Sequence, residues 1–124
     1  KTGIINWKQT VNSSLTPIIA DNYVFSVSNE GFLFIMDNKN ANIVRITNIL
    51  KNIKNKKNKI KPTGFILANN KIYLSLNNGR IIKYNIITSK EENIFKLSNS
   101  KILRPNIFEK KMYILKHNAI IKVD

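Results

Sequence analysis

His117 is the single histidine of this chain of 124 residues, cysteine is absent, and acidic side chains number seven. Those counts set narrow limits on chemistry. A Ser-His-Asp arrangement needs an imidazole oriented by a carboxylate and placed beside a hydroxyl. His117 instead sits with Asn118 in a short polar step between two apolar runs, where a turn residue is expected. One histidine and no thiol leave no set of soft or nitrogen ligands from which to assemble a metal centre. Glu91-Glu92 is the one adjacent acidic pair, and its polar neighbours read as a solvated turn rather than a general acid with its base. Asp37 and Asp124 close apolar runs at equivalent points, as strand-end residues. The four glycines form no phosphate-cradling loop. The reading assigns no catalytic, cofactor-binding or metal-binding residue.

Charge is the next signal. Lys and Arg number 21, for a formal net charge of +14 and a pI near 10.2. Such a balance fits nucleic acid or an anionic surface. Yet three of the 21 are Arg, the side chain that makes bidentate contacts to bases and phosphates. Lys, Asn and Ile are in excess together, as expected for the product of an AT-rich genome. The densest basic run holds Lys51, Lys54, Lys56, Lys57, Lys59 and Lys61 and reads as a solvated loop, with contact to an acidic partner as its functional alternative. Trp7, Tyr73 and Tyr113 have the chemistry to stack bases, but Phe25, Tyr73 and Tyr113 share one repeat position, which assigns them to packing.

These residues are positioned by a pattern that occurs three times. Asp21 to Asp37 superimposes on Asn69 to Asn85 without a gap at an offset of 48, and Glu109 to Asp124 follows at 40, falling to 39 after one deletion in the turn. A period of roughly 40 to 50 residues carrying β-type segments marks propeller blades. Each copy is a hairpin of period two: Tyr23 to Ser28 with Phe32 to Asp37, Lys71 to Leu76 with Arg80 to Asn85, and Lys111 to Lys116 with Ala119 to Val123. Gly31 and Gly79 stand where the turn needs positive φ, and Asn118 can adopt the same left-handed conformation. An apolar strand precedes each hairpin, at Leu15 to Ala20, Gly64 to Ala68 and Pro105 to Phe108, with Pro17, Pro62 and Pro105 as entry punctuation. A fourth strand follows at Ile43 to Ile49 and at Asn93 to Leu97, and Ile4 to Lys8 is expected to be the outer strand of a preceding blade.

The fold class is therefore all-β, a partial propeller of about three antiparallel blades in one domain. Residues 1–12 end one blade, 13–50 form the next, 51–61 are a basic insertion, 62–97 form a further blade and 98–124 a truncated last one. Propellers close with four to eight blades, so an array of three predicts a longer parent protein, or self-association through open edges. The start at Lys1, inside a repeat, predicts an upstream region. No apolar run approaches the roughly 18 residues that cross a bilayer.

Thr2-Gly3-Ile4-Ile5-Asn6-Trp7 resembles the blade signature of the PQQ-like β-propeller repeat family. In that family an Asp ends one strand, Thr-Gly makes the turn, and a Trp on the next strand docks against the neighbouring blade. Asp37 to Arg45 is a degenerate copy, with Asn40-Ala41 for Thr-Gly and Arg45 for Trp; Asn85 to Ser89 keeps Thr88 and has Ser89 for Gly. The resemblance covers nearly the whole chain and implies structural repeat roles for Gly3, Trp7, Gly31, Asp37, Tyr73, Gly79 and Tyr113. Within the family the chain most resembles the BamB-type lipoproteins of the outer-membrane β-barrel assembly machinery. That implies a non-catalytic, cofactor-free scaffold on the periplasmic side of the outer membrane, with protein partners among the assembly components. PQQ-dependent dehydrogenases share the repeat, so a fragment of a quinoprotein enzyme is the alternative; it would need carboxylate ligands for Ca²⁺, a general-base Asp and a clamp for the quinone. A basic module binding nucleic acid or an anionic surface is the third reading.

Overall fold

Alternating large and small side chains, broken by Asn, Gly and Pro, give strands and tight turns throughout. The computed structural model describes residues 3–53 and 59–124. Its strands are β1 (Ile18–Ala20), β2 (Tyr23–Val27), β3 (Phe32–Asp37), β4 (Ile43–Asn48), β5 (Pro62–Ala68), β6 (Lys71–Leu76), β7 (Arg80–Asn85), β8 (Lys90–Lys96), β9 (Ile102–Phe108), β10 (Lys111–Lys116) and β11 (Ala119–Val123). They form three meanders, β1-β2-β3-β4, β5-β6-β7-β8 and β9-β10-β11, paired antiparallel throughout. These are the first, second and third blades, and the fold is a partial β-propeller.

The backbone repeats more faithfully than the sequence does. Among the described residues, every positive-φ residue falls in one of three repeating turns. Asp21, Asn69-Asn70 and Glu109-Lys110 turn the first hairpin of each blade; Gly31, Gly79 and Asn118 turn the second; Gly3, Ala41 and Ser89 occupy the Thr-Gly glycine position. Ala41 and Ser89 thus accept a left-handed conformation that glycine adopts without strain.

Packing is organised around the second blade, which is apolar on both faces. Ile72, Leu74, Leu76, Ile82 and Tyr84 join Phe25, Val27, Leu33 and Ile35 of the first blade in one buried cluster. On the opposite face Ile81 and the half-buried Tyr73 pack with Ile102 and Ile114 of the third blade in a second cluster. Each fully buried Leu or Ile contributes about 1.5–3 kcal/mol. The inner strands approach closely: a methyl group at Gly64 would lie 2.5 Å from Arg104 Cβ and 2.7 Å from its Cα. Beside it, Thr63 Oγ1 donates to Ile102 O at 2.6 Å. Pro105 lies inside β9, a strand at the edge of its sheet, where a missing N–H costs no ladder bond.

Several expectations need correction. Ile4 to Lys8 is not a strand; among the described residues it has no neighbouring backbone to pair with, and a lone extended segment forms no ladder. β1 begins at Ile18 rather than Leu15, while β5, β8 and β9 begin earlier than expected, at Pro62, Lys90 and Ile102. The early start of β8 places Glu91 and Glu92 in a strand, not in a solvated turn, because Glu92 finds lysines across the sheet.

Two substitutions test this geometry. Gly64→Ala should lower stability by about 1–3 kcal/mol through backbone overpacking; an unchanged urea midpoint would mean that β5 and β9 do not meet there. Glu109→Asn together with Lys110→Gly should raise stability by about 0.5–1 kcal/mol, since Asn-Gly suits a turn with two positive φ values.

Candidate functional site

Blades are joined by a polar bond that recurs with the repeat. Trp7 Nε1 donates to Asn38 O at 2.7 Å. Arg45 Nη2 donates to Ile86 O at 2.5 Å, and Arg45 Nη1 also meets Ser89 Oγ. Asn38 and Ile86 are 48 residues apart, and Arg45 stands where the signature places Trp. The replacement of indole by guanidinium therefore keeps the donor and its target, the carbonyl of the next blade's turn. Gln9 Nε2 adds a bond to Ala41 O at 3.2 Å. The sequence sets Arg45 in the place of Trp; the shared donor and its shared target are what the structure adds.

Charged groups organise the blade exteriors. Glu92 Oε1 lies 2.8 Å from Lys71 Nζ and 3.6 Å from Lys83 Nζ, and Asn85 Nδ2 donates to Glu92 Oε2 at 2.8 Å. The Lys71 ammonium, then the Asn85 amide, hold the Glu92 carboxyl below its ordinary value, and the bond from Glu92 raises Lys71. The third blade repeats the lysines as Lys111 and Lys122. Here Asp124, on β11's own turn position, lies 3.4 Å and 3.9 Å from them. Asp37 caps its turn by accepting from Lys39 N at 2.7 Å, and Asn85, its repeat equivalent, accepts from Ile87 N and Thr88 N.

The remaining sequence-derived positions lie apart. Tyr73 packs between the second and third blades, whereas Tyr113 stands half-buried on the third blade's outer face; with Trp7 near the first blade, the three aromatics form no common platform. Lys51 borders a cleft of about 250 Å³ between the first two blades, beside Tyr84 and Glu91. Tyr84 Oη and Glu91 Oε1 are buried beside it without a hydrogen-bond partner among the described atoms. Lys59 and Lys61 border a separate cleft of about 340 Å³ with Asn12, Asn29 and Glu30. Ile53 and Ile60 anchor the described ends of the basic run against the core. Lys54, Lys56 and Lys57 lie outside the described residues. Among the described residues, no group of three His, Cys, Asp or Glu is placed to hold a metal ion.

The two ends of the array differ. Residues 7–17 run along the outer face of the first blade, with Val24, Ser26 and Met36 beneath them. On the outer face of the third blade Leu115 is 49% and Ile120 74% exposed, and Phe108, also exposed, lies at the far end of the sheet opposite Lys111. Their repeat equivalents in the first blade, Val27 and Leu33, are 0% and 1% exposed.

Three consecutive antiparallel meanders, two four-stranded and one three-stranded, packed face to face define the fold as that of a β-propeller. Among solved structures, a quinohemoprotein alcohol dehydrogenase from Pseudomonas putida HK5 matches with a TM-score of 0.62 at 13% identity, covering 87% of this chain and 17% of that one. BamB from Moraxella catarrhalis matches with a TM-score of 0.58 at 13% identity, over 87% of this chain and 32% of that one. The β-propeller domain of Cps50 (Swd1) from Myceliophteria thermophila matches with a TM-score of 0.61 at 10% identity, over 94% of this chain and 40% of that one. This chain thus spans a minor part of each. No family model and no curated protein matches the sequence. At these identities the likeness shows the fold alone.

The ion pair yields a pH prediction. Glu92, lowered from 4.5, contributes stability that is present above that value and lost as pH falls through the depressed one. Lys71, raised from 10.5, contributes below that value and loses its share as pH climbs through the elevated one. Glu92→Gln should therefore lower Tm at neutral pH, with the gap to wild type closing in acid. A gap that stays constant down to pH well below the carboxylate range would show that the pair contributes nothing.

Proposed function

We propose that this chain is a non-catalytic interaction scaffold of the bacterial cell envelope, working on the periplasmic side of the outer membrane. The observation that carries this reading is the exposed apolar pair on the outer face of the third blade. Leu115 and Ile120 keep apolar side chains at positions that are buried in the first blade, yet are 49% and 74% exposed. Leu115 and Ile120 lie directly opposite one another on β10 and β11, so they form one apolar spot for a neighbouring surface to cover. Partners are proteins, held by shape complementarity and by pairing with a free strand edge. Support for the envelope setting comes from the blade signature and from the structural likeness to BamB. No helix among the described residues is long and apolar enough to cross a membrane.

The chemistry-bearing residues also favour the scaffold over the quinoprotein reading. Asp37 caps a turn, Glu92 and Asp124 bridge lysines, and Trp7 and Arg45 join blades. Each already has a structural task.

Two measurements separate the readings. Pyrroloquinoline quinone with Ca²⁺ should leave the Tm unchanged; a saturable rise would favour the enzyme. Anilinonaphthalene sulfonate should fluoresce with the dilute wild-type chain and lose that signal in Leu115→Glu/Ile120→Glu. A dye signal indifferent to these substitutions would remove the support for the face.

A further inference from the structure

The junction of the first two blades at Arg45 repeats a hydrogen bond without repeating the side chain that fills the space around it. Counted from the shared left-handed turn, Trp7 lies four residues beyond Gly3 and Arg45 four beyond Ala41. Both donate to the equivalent turn carbonyl, Trp7 to Asn38 O and Arg45 to Ile86 O. At Trp7 a flat bicyclic ring stands beside that carbonyl. At Arg45 the donor arrives on a slender alkyl stem, and a cleft of about 310 Å³ lies beside it.

The walls of this cleft come from both blades and are mostly apolar. Phe25 is opposite Ile35 and Ile35 opposite Arg45, so the three share the face turned toward the second blade. Phe25 and Ile35 are buried, whereas Tyr23 and Val44 are exposed around them. Ile86 and the exposed Ile87 enter from the turn after β7. Tyr23 and Arg45 are the lining residues with polar side-chain atoms.

The Arg45 guanidinium is a cation facing uncharged partners. Its bonds go to Ile86 O and Ser89 Oγ, and among the described residues no Asp or Glu stands within ion-pair distance of it. Asp37, directly across from Tyr23, instead accepts from Lys39 N. Glu92 is held by Lys71 and Lys83. An apolar cleft with a planar cation in its wall, on a chain of net charge +14, is complementary to a molecule that joins a ring to an anion.

We propose that this cleft binds a small aromatic carboxylate, its ring against Phe25, Ile35 and Ile87 and its carboxylate on the remaining N–H groups of Arg45. The ligand's ring takes, from outside the chain, the place beside a turn carbonyl that the Trp7 indole takes from within it. Such a ligand touches the first blade and the turn of the second, so it tightens their junction. It uses no residue of the third blade, and the inference stands apart from the scaffold reading.

Indole-3-acetate is the probe. It should shift the backbone amide resonances of Val44, Arg45 and Ile87 saturably and raise Tm. Indole, which lacks the carboxylate, should bind about tenfold more weakly, as expected for loss of a charge-assisted hydrogen bond. Acetate, which lacks the ring, should leave those resonances in place. Arg45→Trp should abolish the saturable shifts while still offering a donor to Ile86 O. Ile87→Glu changes an exposed position without removing a bond between blades, and it should weaken binding through repulsion of the anion. No saturable shift at these residues, equal affinity for indole and indole-3-acetate, the same shifts with acetate, or unchanged binding in Ile87→Glu overturns the proposal. The dye response of Leu115→Glu/Ile120→Glu reports the third blade separately, so either reading can fail without the other.

Discussion

A blade of this kind is apolar on both faces, and that constraint governs the molecule. In an antiparallel sheet with one wet face, polar residues alternate with apolar ones. The second blade instead buries Ile72, Leu74 and Ile82 on one side and Ile81 on the other. Its stability cannot be separated from that of its neighbours, as in other stacked repeats. Close approach is enforced at the inner strands, where Gly64 faces Arg104 without room for a methyl group. Everything outside those interfaces is free to vary, and much of it has.

The variation shows what the repeat conserves. Gly3, Ala41 and Ser89 share a left-handed backbone without sharing a side chain. Trp7 and Arg45 share a donor aimed at a turn carbonyl without sharing a shape. Both β4 and β8 carry a register shift at equivalent points, between Ile35 and Met36 and between Lys83 and Tyr84 of their partners. Backbone geometry and hydrogen-bond direction persist where residue identity drifts, because neighbouring blades require the former and only tolerate the latter.

The same distinction explains what could be read from sequence. The hairpins were legible because period two and Gly31, Gly79 and Asn118 impose them locally. The three sheets followed from the offsets between hairpins. Strand starts were less legible: Pro62 does open β5, whereas Pro105 looks like punctuation yet lies within the length of β9, an edge strand. Glu91-Glu92 read as a polar turn because the lysines that stabilise it are contributed by β6 and β7, up to 21 residues away. Ile4 to Lys8 had the composition of a strand and none of the partners. The exposure of Leu115 and Ile120 was the hardest to see, since their repeat equivalents Val27 and Leu33 are core residues.

Net charge bears on how such a surface can work. A chain at +14 repels its own copies at long range, an effect that salt screens within about 8–10 Å. Contacts between apolar faces act at shorter range and scale with the area removed from water. The first and second blades already show that lysine-rich blades pack together when charges stay on the margins, as Lys71 and Lys83 do around Glu92. Lys111, Lys122 and Asp124 set the same margin around the third blade's open face. Charge at such a margin governs the rate at which other molecules approach, whereas apolar area removed from water governs how firmly they are held.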